Sequence, residues 1–395
     1  MSEKSPIATS KHKVDFRIAP KNGIKDSFLV GLPASVSESQ VEGEARKLAA
    51  EYAGSVRHIY KKSVRGFAVN ISEDNARKMA HDSRVKYVGQ DVEGYTATQV
   101  NPPAHLDRID QANRPLNNKY TGDIDLAGKR PDIYVIDGGI NASHVAFDNR
   151  ASIGNDFTPP ERRADGSLVP RGVDCRGHGT HVAALASSTV YGVARGANII
   201  AVKASNCQGV ASASNTLAAV EWVRSNAVTS RSVVNMSLAF PFFESPQESS
   251  VGMLKLGIEN SITAGLPYVV AAGNNSGSAC SVVPAAITTA ITVAAADASD
   301  SKPAFSNFGT CVDIFAPGLN ITSASNTNNT GTTSLSGTSQ ASPQVAGAVA
   351  VIQALTPGQQ SPFILAATLR AEATSGVLSN IGAGSPNRLL RVRSQ

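Results

Sequence analysis

Two rhythms of apolar and polar positions divide this chain. In its first part, short apolar runs alternate with amphipathic stretches. Ser27–Leu32, Val56–Tyr60, Gly66–Ile71 and Val85–Val88 read as strands. Ser37 with Gln40 makes a capping-box pattern that opens a helix to about Tyr52, and Ser72 caps a second helix whose apolar face holds Ala76, Met79 and Ala80. Beyond Pro131 the pattern changes. Asp132–Ile136, Ile199–Lys203, Val233–Leu238, Tyr268–Ala271 and Ile291–Ala294 are continuously apolar strands rich in β-branched residues. They alternate with helices predicted over Gly179–Ser187, Ser212–Asn226, Ser249–Ala264 and Gln344–Leu355, the last beginning near Ser339. Continuous apolar runs are what a parallel sheet needs when helices cover both its faces. Ser323–Ser334 is polar and rich in Asn and Thr, which predicts a surface loop.

The first part, strand-helix-strand-strand-helix-strand, is the split βαβ order of a ferredoxin-like α+β domain. The second is α/β with a mostly parallel sheet. A chain of 395 residues is too long for one ordinary core. The expected division is a tail over 1–26, a compact domain over 27–99 and a larger domain over 100–395, with a linker or cleavable segment at Glu93–Pro103. Charge changes this picture little. Residues 1–99 carry a net +4 and the remainder +1, so the larger domain has no basic excess suited to nucleic acid. No run is long enough to span a membrane, and a monomer is expected. Met1 to Lys25 holds no apolar signal core. The four cysteines, Cys175, Cys207, Cys280 and Cys311, lack zinc spacing and allow three disulfide connectivities. Two disulfides in an oxidising compartment are the expectation, and with them secretion.

Functional groups gather at the C-terminal ends of parallel strands. Asp137 ends one such strand, ahead of Gly138-Gly139. His178 lies in Gly177-His178-Gly179-Thr180-His181-Val182 as a helix begins, and Ser339 opens the last major helix. Taken singly each has a plainer explanation. An Asp after a strand also serves phosphate sites, His178 and His181 at a spacing of three could bind a metal, and Ser339 could be a helix cap. Together they supply what serine attack on a carbonyl requires: a nucleophile, a base to take its proton, and a carboxylate to hold that base. The order Asp, His, Ser is that of the subtilisins. An esterase of the α/β-hydrolase kind would need Gly-x-Ser-x-Gly, which is absent around Ser339.

With Gly177–Val182 and Ser336-Gly337-Thr338-Ser339 in one chain, residues from about Leu106 to Val392 resemble the subtilisin-like serine peptidases, within them the proteinase K group. Residues 27–99 resemble the inhibitor propeptide that accompanies these enzymes. The resemblance implies a secreted endopeptidase zymogen with Asp137, His178 and Ser339 as triad, and His181 as a structural residue. Asn274, in Ala271-Ala272-Gly273-Asn274, and the Ser339 N–H become the oxyanion donors. Substrate is implied as an extended strand along Ser237, Leu238 and Ala239, with Gly273 nearby. Cys175 with Cys207 and Cys280 with Cys311 resemble the two disulfides of the aqualysin-like branch. The Thr288 and Ala290 carbonyls with the Asp313 carboxylate resemble a structural calcium site. No cofactor is implied for catalysis. The propeptide is implied to assist folding, to be cut autocatalytically near Gln99 and to remain as an inhibitor. A second reading keeps the fold and the self-processing but leaves the propeptide bound, as in a binding protein.

The chain departs from the family pattern in places. Ser237-Leu238-Ala239-Phe240 stands where Ser-Leu-Gly-Gly is usual, which implies a reshaped and still apolar specificity pocket. Asp137-Gly138-Gly139 lacks the hydroxyl residue that usually follows the Asp. Gln340 follows Ser339 where Met is usual. A thioether beside a nucleophile is an oxidation liability. Activity should therefore survive dilute peroxide, and rapid inactivation with the Ser339 side chain unmodified would contradict this.

Overall fold

The structure is a computed structural model that describes residues 16–18, 23–62, 64–92, 99–100, 102–121, 130–163, 165–241, 250–356 and 358–392. It separates into two compact units, Met1–Thr96 and Ala97–Gln395. Most of the expected Glu93–Pro103 break lies outside the described residues. Within it, Gln99–Val100 pairs antiparallel with Lys119–Tyr120.

In the first unit the sheet order is Phe16–Arg17, Tyr87–Val92, Gly23–Gly31, Gly66–Asn70, Ser55–Tyr60. The last four strands are antiparallel and follow the ferredoxin-like order. The short Phe16–Arg17 strand, parallel to Tyr87–Val92, falls within the expected tail. Alternation puts Phe28, Val30, Phe67 and Val69 on one face, against Val41, Ala45 and Leu48 of one helix and Ala76 and Met79 of the other. The second helix starts as expected, with the Asn75 N–H donating to Ser72 Oγ. The first does not. Ser37 N–H and its hydroxyl both donate to Gln40 Oε1, which closes a turn, and the helix runs only over Val41–Glu51.

The second unit is built on nine strands in the order Thr374–Ser375, Arg388–Leu389, Ile314–Pro317, Ile291–Ala296, Tyr268–Ala271, Ser232–Met236, Asp132–Asp137, Asn198–Lys203, Ala151–Asp156. All neighbours are parallel except Thr374–Ser375 with Arg388–Leu389. One face packs on the helices His178–Ser187 and Thr338–Leu355. The other packs on Ala213–Asn226 and Ser250–Thr263. The Thr338–Leu355 helix is buried along nearly its whole length, which small residues permit. At Gly347 an added Cβ would sit 2.8 Å from the Ala186 carbonyl oxygen and 2.8 Å from Val193 Cβ, so glycine sets how closely the two buried helices approach. Pro343 is the sixth residue of this helix and so leaves the Ser339 carbonyl without its helical N–H donor; the Ser237 hydroxyl donates to that carbonyl instead, at 3.2 Å.

Two expectations change here. Ser323–Ser334 is not simply a loop, because Ile321–Ala324 and Thr332–Leu335 form an antiparallel hairpin. Its polar side chains hid the strands, with Ser323 turned inward to donate to the His181 carbonyl at 3.0 Å. The strand expected over Val233–Leu238 ends at Met236. Ser237–Ala239 leave the sheet there, and Phe240–Pro241 pair antiparallel with Val282–Val283.

Candidate active site

Asp137 is the last residue of Asp132–Asp137 and is fully buried. His178 is the first residue of its helix, and Asp174 builds that helix start. The Asp174 carboxylate accepts the N–H groups of Arg176, Gly177 and Thr180 at 2.9, 2.7 and 2.8 Å, and the Thr180 hydroxyl at 2.6 Å. A carboxylate at a helix N-terminus satisfies donors that the helix itself cannot. Gly179 lets this turn close onto Asp137. A Cβ there would lie 2.1 Å from the Gly139 oxygen and 3.2 Å from Asp137 Oδ1. His178 Nδ1 consequently faces both carboxylate oxygens, at 2.8 and 3.0 Å. The Gly138 N–H donates to Oδ1 at 2.6 Å. Lys203, opposite Asp137 in the sheet and 1% exposed, donates through Nζ to the Gly138 and Val173 carbonyls at 2.9 and 3.1 Å.

Burial is the largest influence on His178 and works against its charged form. The Asp137 carboxylate, through its charge and its hydrogen bond, works the other way and prevails, so the pKa is raised. The ring keeps 32% of its side-chain surface exposed, so its desolvation is partial and the upward direction holds. His181 is the opposite case. It is fully buried, donates through Nε2 to the Ile321 carbonyl at 3.0 Å, and burial lowers its pKa to about 4. Its other ring nitrogen, Nδ1, has no hydrogen-bond partner among the described residues.

Ser339 is the second residue of its helix and is nearly buried. Its hydroxyl donates to the Ser237 carbonyl at 3.4 Å, and the Ser237 hydroxyl donates to the Ser339 carbonyl at 3.2 Å. A bond from Ser339 to His178 is not formed in this structure, as is common in sites without substrate. Beneath Ser237, Asn235 donates to its hydroxyl at 3.1 Å and accepts from Ser342 at 2.8 Å. Asn274 Oδ1 accepts the Thr338 N–H at 2.8 Å and its hydroxyl at 2.9 Å. That leaves Nδ2 without a partner among the described residues, on an exposed residue. Thr338 Oγ1 also accepts the Gly273 N–H at 3.1 Å. The sequence singles out Thr338 only as part of the Ser336–Ser339 motif, and Ser342 and Asp174 not at all. The only signal of the last two was a polar side chain at a helix start. Gln340 is buried, and its Nε2 has no partner among the described residues.

Beside His178 opens a cavity of about 490 Å³ that includes Asp137, Ser237, Leu238, Ala239 and Phe240 in its walls. Ala239 is exposed, whereas Phe240 is largely buried against the core. Both disulfides are present, Cys175–Cys207 and Cys280–Cys311, with Cα atoms 5.3 and 5.4 Å apart. Each closes a moderate loop, worth about 3–4 kcal/mol in the chain-entropy picture.

The implied calcium ligands do not suit the ion as they stand. Asp313 Oδ1 accepts from Arg370 Nη2 at 2.8 Å, and Oδ2 accepts from the Thr292 N–H at 2.8 Å. A guanidinium already neutralises the one carboxylate that would join the Thr288 and Ala290 carbonyls, so a second cation would meet repulsion. Among the described residues, Glu161, Cys175 and Cys207 also come close together, but both sulfurs belong to the disulfide. No described helix is long and apolar enough to cross a membrane.

Comparison with known proteins gives a consistent answer. Residues 128–384 match the subtilase family, and residues 27–97 match the peptidase inhibitor I9 family. An extracellular serine proteinase of Thermus sp. (strain Rt41A) is 38% identical over 91% of this chain and 83% of its own length. The alkaline serine exoprotease A of Vibrio alginolyticus is 36% identical over 86% of this chain and 60% of its own. The crystal structure of a cold adapted subtilisin-like serine proteinase superposes with a TM-score of 0.65 at 37% identity, covering 74% of this chain and 98% of that one. The parallel sheet, the buried serine-bearing helix and these matches agree: the chain belongs to the subtilase family of serine peptidases and carries an I9 inhibitor domain ahead of its peptidase domain.

Proposed function

We propose that Asp137, His178 and Ser339 form the catalytic triad of this serine endopeptidase. The observation that carries the reading is the buried Asp137 carboxylate bound to His178 Nδ1 at 2.8 Å. That bond fixes the tautomer with Nε2 free to accept a proton. Ser339 Oγ attacks the scissile carbonyl carbon as Nε2 takes its proton. The carbonyl oxygen becomes an oxyanion, received by Asn274 Nδ2 and the Ser339 N–H. The C–N bond then breaks, the imidazolium gives its proton to the leaving amine, and the acyl-enzyme remains. Water, activated by His178, hydrolyses the ester and restores Ser339. The Thr338 clamp on Asn274 Oδ1 supports the donor role, because it orients the amide before charge develops. Substrate lies along Ser237, Leu238 and Ala239 with Gly273 nearby. The Ala239-Phe240 pair reshapes the specificity pocket.

The same reading assigns residues 27–99 as an inhibitor propeptide and 100–395 as the peptidase, with autocatalytic cleavage near Gln99 and secretion of the product as a monomer. Processing in the Ser339→Ala chain should stop, leaving one full-length band with no casein hydrolysis. Retained processing would remove Ser339 from the chemistry, while processing without hydrolysis in wild type would favour a binding protein. Asn274→Ala should lower kcat by about 10²–10³ with a small change in KM.

The base must be neutral to act, and its folded pKa is raised. The acid limb of kcat/KM should therefore rise with a midpoint above the ordinary imidazole value of about 6.5. A midpoint at or below that value would contradict the assignment of His178.

A further inference from the structure

The cavity beside His178 contains one charge that the proposed catalytic cycle does not use. Of the ionisable groups in its walls, Asp137 is bound to His178, and Asp174 accepts four hydrogen bonds at the helix start. Arg176 has no such commitment. Its side chain is exposed, Nη1 donates to the Gln208 carbonyl, and no carboxylate lies within ion-pair distance of it among the described residues. Nε and Nη2 have no partner there either.

The position of this guanidinium is built from both sides. Its own N–H is held by Asp174, and its neighbour Cys175 is bonded to Cys207, which precedes the accepting Gln208. The receiving loop is closed by Asn206, whose Oδ1 accepts the Gln208 and Val210 N–H groups at 3.1 and 2.8 Å. At Gly209, which has a φ of +79°, an added Cβ would lie 2.4 Å from Arg176 Nη1. The guanidinium therefore rests on bare backbone. Ser205 and Asn206 add polar groups to the cavity lining, and Leu238 adds an apolar one. A guanidinium held at one nitrogen, with two others unpartnered beside the cleft, suits a carboxylate in fork geometry.

We propose that Arg176 is a specificity-determining residue, and that the cavity beside His178 takes an acidic side chain of the substrate strand close to the cleaved bond. This rests on the reading of the cleft given above and deepens it by naming a substrate class. Tyr95-Thr96-Ala97-Thr98, ahead of the expected self-cleavage point, is uncharged. Self-cleavage is intramolecular, and tethering removes the need for side-chain affinity. The preference concerns substrates cleaved in trans.

The test uses the mature peptidase and fluorogenic peptides in which each position around the cleaved bond carries Glu, Gln or Lys in turn. At one position wild type should favour Glu over Gln by about five- to tenfold in kcat/KM at low salt, and Lys should be the poorest. Raising salt should compress the ratio. Arg176→Gln should bring Glu and Gln to parity, and Arg176→Glu should make Lys the preferred residue. Each ratio is read within one variant, so a change in folding or overall turnover cancels. Equal rates for Glu and Gln at every position in wild type, or a ratio unchanged in Arg176→Gln, would overturn the proposal while leaving the triad intact. Hydrolysis retained in a parallel Ser339→Ala sample would instead overturn the reading beneath it.

Discussion

A helix passing through the core of a protein must leave no polar group stranded. That constraint organises this molecule. Thr338–Leu355 is buried on nearly all sides, yet its first turns carry Thr338, Ser339, Gln340, Ser342 and Gln344. Each unpartnered polar atom there would cost on the order of 1–3 kcal/mol. Most are met by the strand ends around them. Thr338 finds Asn274 and Gly273, Ser339 finds Ser237, Ser342 finds Asn235, and Gln344 finds the Pro317 carbonyl. The partners that bury the helix are the groups that shape the cleft. Stability and the proposed function thus draw on the same hydrogen bonds, and the Asn274 amide is held in place by Thr338.

Electrostatics on the other side of the cleft follows a similar rule. A buried carboxylate is tolerable only when it is well solvated by protein. Asp137 is surrounded by the His178 ring and the Gly138 N–H, and Lys203 grips the adjoining carbonyl. Gly138-Gly139, which lacks the hydroxyl usual in the family, leaves this arrangement intact. Only Ser205 Oγ lies near the place of a Gly138 Cβ, at 3.3 Å. The raised pKa of His178 follows from this arrangement, and in the proposed mechanism it makes the ring a better proton acceptor.

Much of this was legible in the sequence, for a reason that can be stated. The apolar strands of the large domain are buried on both faces, so each must be continuously hydrophobic, and Asp132–Ile136 or Ile291–Ala294 stand out. Gly177-His178-Gly179 stands out because Gly177 has a φ of +95° and Gly179 packs against the Gly139 carbonyl, which leaves little choice of residue. What stayed hidden was polar or short. The hairpin Ile321–Ala324 with Thr332–Leu335 reads as loop because its exposed face is Thr and Ser. The end of the Ser232–Met236 strand was misplaced because Leu238 continues the apolar run after the backbone has left the sheet. Arg370 beside Asp313 joins residues far apart in the chain, and no local pattern announces a long-range ion pair. Gln340 remains without a structural account of why it replaces Met.

The central claim is that one serine, at the start of one buried helix, is activated by the His178–Asp137 pair. Reaction with a small fluorophosphonate, followed by peptide mass spectrometry, addresses it directly. One equivalent of phosphonyl adduct on Ser339, with labelling reduced by orders of magnitude in His178→Ala, is the expected result. An adduct on another serine, or equal labelling without His178, would contradict the account.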